Sequence, residues 1–156
     1  YTQTEYVQAH EAVVERLEKS GLSHTVIRPT GVFSAFVEML AYARYGFLPV
    51  VGDGTSRSNP VHERDVAEMI GENLESGPNS VPVGGPDVYS RREIAELMFA
   101  VQGRKAKVVG LPKGLFRVLG WMNGLGSTRR RELFEFVSAV STSDCIAPRI
   151  GTRRLE

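Results

Sequence analysis

Three groups of residues in this 156-residue chain have types and spacings that could do chemistry. The first is Tyr6-x-x-x-His10. Residues four apart lie on one face of a helix, so a phenol and an imidazole would sit side by side. A positive charge beside a tyrosine lowers its pKa and lets it act as a general acid or base. An imidazole supplies that charge less firmly than a lysine, because its unperturbed pKa is about 6.5. Half-buried packing against a core would explain the same pair. The second group is Pro29-Thr30-Gly31-Val32, at the end of an apolar run. Gly31 would let a ligand come close to the backbone, and a plain strand-to-helix turn would also use it. The third is Phe33, Phe36, Met39 and Tyr42. At helical spacing they would wall a substrate pocket or fill a core.

Other clusters point away from chemistry. His62, Glu63 and Asp65 are metal-ligating types, but they fall at an expected helix start, where acidic side chains complement the helix dipole. No second ligand cluster accompanies them, so helix capping and no metal site are expected. Arg129-Arg130-Arg131 is the one basic run, in a chain of net charge +1. That total makes no nucleic-acid footprint and no case for an anionic membrane. Cys145 is the only cysteine. It excludes a disulfide framework or a cysteine-rich zinc site and suits a reducing cytoplasm. No apolar run reaches the roughly 18 residues needed to span a bilayer. The chain opens on Tyr1 without a signal-peptide pattern, as a processed or excised piece would.

The elements that would hold these groups follow from periodicity. Thr2-Gln3-Thr4-Glu5 fits a capping box. Tyr6, His10, Val13, Val14 and Leu17 would form the inner face of the helix after it, with Glu11, Glu15, Glu18 and Lys19 outside. Gly21 would end it. Thr25-Val26-Ile27 is expected as a buried strand that stops at Arg28-Pro29. A second helix carries Phe33 to Ala41, and Phe47 to Val51 is extended. A third helix starts near Glu63, with Val66, Met69, Ile70 and Leu74 as its apolar face. Val81 to Val83 suits an edge strand because of Pro82. Ser90-Arg91-Arg92-Glu93 is a second capping box, ahead of Ile94, Leu97, Met98 and Val101. Lys107 to Val109 is a strand, and Pro112 to Met122 and Arg129 to Val140 are helices. The tail after Ser141 has no period. The expectation is one mixed α/β domain over residues 1–156, rich in helices, with a few short strands.

In order, these pieces resemble the short-chain dehydrogenase/reductase superfamily, in its extended and atypical branches, the NmrA-like and sugar-nucleotide-epimerase-like members. The family's Tyr-x-x-x-Lys helix runs into a small-residue turn and a strand ending in Arg-Pro. Here Tyr6 and His10 precede Ser20-Gly21-Leu22 and Thr25-Val26-Ile27-Arg28-Pro29. Gly52-Asp53-Gly54, Asn59-Pro60-Val61-His62, Asp65-Val66-Ala67 and Gly84-Gly85-Pro86 are also similar, and the likeness covers roughly Tyr6 to Pro112. It implies the C-terminal part of a Rossmann-type NAD(P)-binding oxidoreductase or epimerase-like protein. Tyr6 would be the proton donor, and His10 would orient it and touch the ribose. Pro29, Thr30, Gly31 and Val32 would face the nicotinamide, and Phe33, Phe36 and Met39 a small-molecule substrate.

Two departures stand out. His10 replaces the family's lysine, and the Gly-rich turn that cradles a pyrophosphate is absent. Gly124-Leu125-Gly126-Ser127 follows a helix rather than a strand and suits a helix-helix loop. NAD or NADP is therefore expected only in a full-length protein, and the chain alone should be inactive. A non-catalytic cofactor sensor or assembly protein stays open. So does an interaction module that forms a homodimer through an exposed sheet edge. No nucleic-acid or membrane partner is expected.

Overall fold

The computed structural model describes residues 4–124 and 127–155, without the side chains of Glu38, Ala41, Tyr42, Asn123, Gly124 and Leu133. Thr2 and the Tyr42 ring therefore lie outside the described residues. The order is α1 (Glu5–Ser20), β1 (Val26–Pro29), α2 (Phe33–Ala43), β2 (Leu48–Val51), β3 (Arg57–Ser58) and α3 (Glu63–Glu72). Then come β4 (Ser80–Val83), β5 (Tyr89–Ser90), α4 (Arg91–Val101), β6 (Val108–Leu111), α5 (Lys113–Gly124) and α6 (Thr128–Ser141). This is the expected mixed α/β, helix-rich chain with short strands.

The described strands form three pairs. β1 pairs with β4 and β2 with β6, both parallel, and β3 pairs with β5 antiparallel. β1 starts at Val26 and stops at Pro29, its expected end, and is half-buried rather than buried. Val26 N–H bonds Asn79 O and Thr30 N–H bonds Val83 O, so even-numbered residues of β1 face β4. Pro29 falls on the opposite parity, where its missing N–H costs this pair nothing. Pro82 of β4 escapes by the same rule, because Asn79 and Val83 are the residues facing β1.

Two apolar clusters hold the layers together. One joins Phe36 and Ala43 of α2, Leu48 and Val50 of β2, and Ile94, Ala95, Met98 and Phe99 of α4, with Leu155 of the tail. The other joins Val61, Val81 and Val83, flanked by Ile27, Val32, Val66 and Met69. The apolar face expected for α3 is only partly used, since Ile70 and Leu74 are exposed.

The α4 capping box forms as expected. Glu93 N–H donates to Ser90 Oγ at 3.1 Å, and Ser90 N–H donates to Glu93 Oε2 at 2.6 Å. Ser90→Ala is expected to cost about 1 kcal/mol and to lower the melting temperature by about 3 °C, measured calorimetrically against the unaltered chain.

The start of the chain differs from expectation. Thr4, not Thr2, is the N-cap of α1. None of its residues is buried. Val7, Val14 and Leu17 are half-buried, while Tyr6, His10 and Val13 are exposed. A stripe is buried only where a second layer faces it. Here α1 meets α6 along one edge and little else.

The tail without periodicity is held by side chains instead. Asn59, fully buried, donates from Nδ2 to Ala147 O at 2.8 Å and to Gly85 O at 3.1 Å, and its Oδ1 accepts from Ala147 N–H. Asp65, 4% exposed, accepts from the N–H groups of Thr152 and Arg153 and from the Arg153 guanidinium.

Candidate functional site

Tyr6 and His10 are brought together as their spacing requires. Their ring centroids lie 4.5 Å apart, tilted by 44°. The Tyr6 ring also leans on Phe136 of α6, at 4.8 Å and 52°. Tyr6 is still 53% exposed. His10 Nδ1–H donates to the backbone carbonyl of Tyr6 at 2.8 Å. That bond turns the ring so that Nε2 is the nitrogen left to meet a ligand.

Arg28 ties this helix to the end of β1. Its guanidinium donates to both Glu11 carboxylate oxygens, at 2.5 and 2.9 Å. That hydrogen bonding holds the Glu11 carboxyl below its usual range and raises the Arg28 pKa. Both side chains are partly solvated, so the bridge contributes only about 0.5 kcal/mol. It links α1 to the end of β1, next to Pro29. Glu11, expected simply on the outer face, is thus a positioning contact. A shallow groove lined by Gln8, Glu11, Val14 and Arg28 runs beside it.

The Pro29–Val32 turn is braced from inside. Thr30 Oγ1 donates to Asn59 O at 2.6 Å and Thr30 N–H to Val83 O at 3.0 Å. Val61 N–H donates to Gly31 O at 2.9 Å. A Cβ on Gly31 would come within 3.1 Å of the Phe36 ring, a tight contact that favours a small residue here. Val32 packs on the second core cluster. Of the four turn residues, Pro29 is the one left exposed.

The aromatic stripe points inward. Phe36 is 9% exposed, with Phe33 and Met39 packed against the same cluster. Phe33 also meets the His62 ring edge-on at 5.2 Å. His62 is the N-cap of α3, its Nδ1 accepting from Arg64 N–H. Glu63 Oε1 accepts from Ser34 N–H at 2.6 Å, which links the starts of α2 and α3. Hydrogen bonding from the Ser34 hydroxyl first, and from its N–H, holds the Glu63 carboxyl below its ordinary range. Among the described residues no group of three ligating side chains could hold a metal ion.

Sequence reasoning missed Arg28–Glu11, Asn59 and the Asp65–Arg153 pair. Burial raises the Asp65 pKa, but the Arg153 and Thr152 N–H groups and the Arg153 guanidinium outweigh it and hold the carboxyl below its ordinary value. Glu68 also binds Arg153 and, with Asp65, raises the guanidinium pKa. The only sequence signal for these was the Asn59-Pro60 and Asp65-Val66-Ala67 pattern, which gives no partner.

No protein-family model matches the chain. A curated relative is 33% identical over 113 residues, covering 67% of this chain and 27% of its own length: the mitochondrial NADH dehydrogenase [ubiquinone] 1 alpha subcomplex subunit 9 of Arabidopsis thaliana. Among solved structures, an Escherichia coli NADPH-dependent quinone oxidoreductase complexed with NADPH aligns with a TM-score of 0.70 at 15% identity. It covers 88% of this chain and 50% of its own. A nucleoside-diphosphate-sugar epimerase of Staphylococcus aureus aligns with a TM-score of 0.64 at 14% identity, covering 89% of this chain and 51% of its own. The chain thus spans about a quarter of the curated relative (27%) and half of these structures (50% and 51%). At such identities the structures establish the fold, which is that of Rossmann-type NAD(P)-binding proteins. No described helix is long and apolar enough to cross a membrane.

Proposed function

The chain belongs to the extended short-chain dehydrogenase/reductase family, and from that premise we propose that it is the C-terminal region of a longer NAD(P)-binding oxidoreductase or epimerase-like protein. Tyr6 is the proton donor there and His10 its neighbour on the nicotinamide ribose. The observation that carries this reading is the Tyr6–His10 ring pair, 4.5 Å apart on a solvent-facing helix. The residues fit the ribose and nicotinamide end of the cofactor. His10 keeps Nε2 out of its bond to the Tyr6 carbonyl, Tyr6 is half exposed, and Arg28–Glu11 links their helix to the end of β1. They offer no pyrophosphate cradle, so that end must be held by further chain. When bound, NAD(P) gives or takes the hydride. Tyr6 then moves the accompanying proton to or from the substrate oxygen.

The substrate is a small molecule beside the turn. Phe33, at the start of α2 and only partly buried, lines it, while Phe36 and Met39 support the wall from behind. The edge of β1 away from β4 and the uncovered face of α1 seat the remaining sheet in the longer protein. In the chain alone the same edge would accept a second copy. The composition suits an aqueous, reducing compartment such as the cytoplasm.

The 156-residue chain by itself is expected to transfer no hydride, measured as NAD(P)H oxidation over a carbonyl panel. The intact gene product should bind NADPH and turn over at least one substrate. Turnover by the isolated chain that disappears on Tyr6→Phe would overturn the reading.

A second reading is favoured by His10 itself. Its Nδ1–H is engaged by the Tyr6 carbonyl, and it brings less standing charge than a lysine. The curated relative is, by its name, a subunit of a mitochondrial NADH dehydrogenase [ubiquinone]. A protein that holds NAD(P) for structural or sensing purposes would show tight NADPH binding with no turnover.

A further inference from the structure

We propose that the outer face of α5 docks on an anionic membrane surface, lying in the interface without crossing it. The helix is apolar on two sides. Its inner side packs on α6, with Phe116 and Phe134 rings 5.6 Å apart and the position of a Cβ on Gly120 only 3.1 Å from Phe134. The opposite side carries Leu115, Val118 and Met122 at i, i+3 and i+7, with Trp121 beside them. They are 47%, 52%, 56% and 63% exposed in that order. Such a stripe on a folded surface is large for a face meant for water.

The sequence that carries this face is cationic, although Glu135 of α6 shares a groove with Arg117 and Trp121, and Asp53 lies near Lys113. Residues 103–131 contain eight Lys and Arg and no Asp or Glu, in a chain whose total is +1. Arg104, Lys105 and Lys107 lie before β6, at the end of that strand away from α5, and Lys113 opens α5. Lys113 and Arg117 lie on α5 away from the stripe, and Arg129–Arg131 open α6 at its far end. Net charge alone, which argued against a membrane partner, conceals this arrangement.

Three occupants would cover an apolar face, and the charges choose between them. A second copy would set two cationic rims against each other, which opposes dimerisation. A soluble acidic protein would satisfy the rim. A broad aliphatic stripe with a tryptophan at its edge and cations at both ends is the pattern of an interfacial helix. The side chains enter the acyl boundary, the indole sits at headgroup level, and the cations meet anionic headgroups. This inference does not depend on the cofactor reading.

Trp121 is the only tryptophan, so its emission reports the face directly. The 156-residue chain and the intact gene product are mixed with phosphatidylcholine vesicles, with or without roughly one third phosphatidylserine. Expected are co-sedimentation about tenfold stronger with the anionic vesicles, a blue shift of Trp121, and release by salt. Val118→Glu and Met122→Glu should abolish binding with the circular dichroism spectrum unchanged. Arg129→Glu with Arg130→Glu, at the exposed start of α6, should remove the anionic preference. Quenching of Trp121 by brominated acyl chains tests insertion without any substitution. Absence of binding or quenching, equal binding to both vesicles, or a dimer dissolved by Val118→Glu would overturn the proposal. Binding by the chain but not by the intact protein would also overturn it, since the face would then be covered by the rest of the molecule.

Discussion

Asp65→Ala is expected to destabilise the fold by roughly 3 kcal/mol and to release the tail after Ser141 before the rest unfolds. The carboxylate is nearly buried, yet it accepts from two backbone N–H groups and a guanidinium of one tail segment. Alanine leaves the Thr152 and Arg153 N–H groups without that acceptor in a partly buried place. It also loosens the docking that brings Leu155 into the main core cluster. Asn should fall between, since its carbonyl still accepts but carries no charge. The pH dependence has a definite sign. The folded pKa of Asp65 lies below its unfolded value of about 3.9, so its contribution is complete above that value and lost as pH falls through the folded one. The unaltered chain should lose this stability below about pH 4, and Asp65→Ala should show a flatter acid limb. Urea titrations across pH and limited proteolysis of the tail measure both. A variant as stable as the parent, with a tail equally resistant to protease, would show that the anchor is decorative.

What was legible in the sequence was local. The Ser90–Glu93 box lies within one turn, and the helices from Lys113 and Thr128 follow from their own periods. The Tyr6–His10 contact follows from i,i+4 geometry alone. What was hidden depends on residues far apart. Parallel pairing of β1 with β4 and of β2 with β6 leaves no signature in either partner. Pro29 ends its strand and Pro82 lies in an edge strand, as expected, and hydrogen-bond parity shows why neither missing donor disturbs their pairing. The tail anchors span 85 residues or more, from Glu68 and Asp65 to Arg153 and from Asn59 to Ala147. Burial was legible only where a facing layer exists. Tyr6 and His10 were expected on an inner face, and they are exposed because α1 meets only the edge of α6. Gly31 was expected to admit a ligand or serve a plain turn, and the Phe36 ring at 3.1 Å from the position of its Cβ adds a packing reason that no local pattern could show.

Tyr6→Phe in the intact protein is expected to lower kcat by about 10²- to 10³-fold with little change in NADPH affinity. Phenylalanine keeps the ring contacts to His10 and Phe136, so the fold and the α1–α6 edge survive and only the hydroxyl proton is lost. His10→Lys tests the same site from the other side. An imidazole is mostly neutral above pH 7, whereas a lysine ammonium is charged there. The added charge beside the phenol favours the phenolate, so kcat should rise about tenfold near pH 8 and its basic-side optimum should move toward lower pH. Both substitutions lie on an exposed helix face, and neither should shift the melting temperature by more than about 2 °C. Steady-state kinetics across pH with one reducible carbonyl substrate reads all of this. NADPH bound equally by the parent and both variants, with turnover in none, would remove Tyr6 from catalysis. It would leave the pair as a cofactor rest and favour the holding role over the reductase.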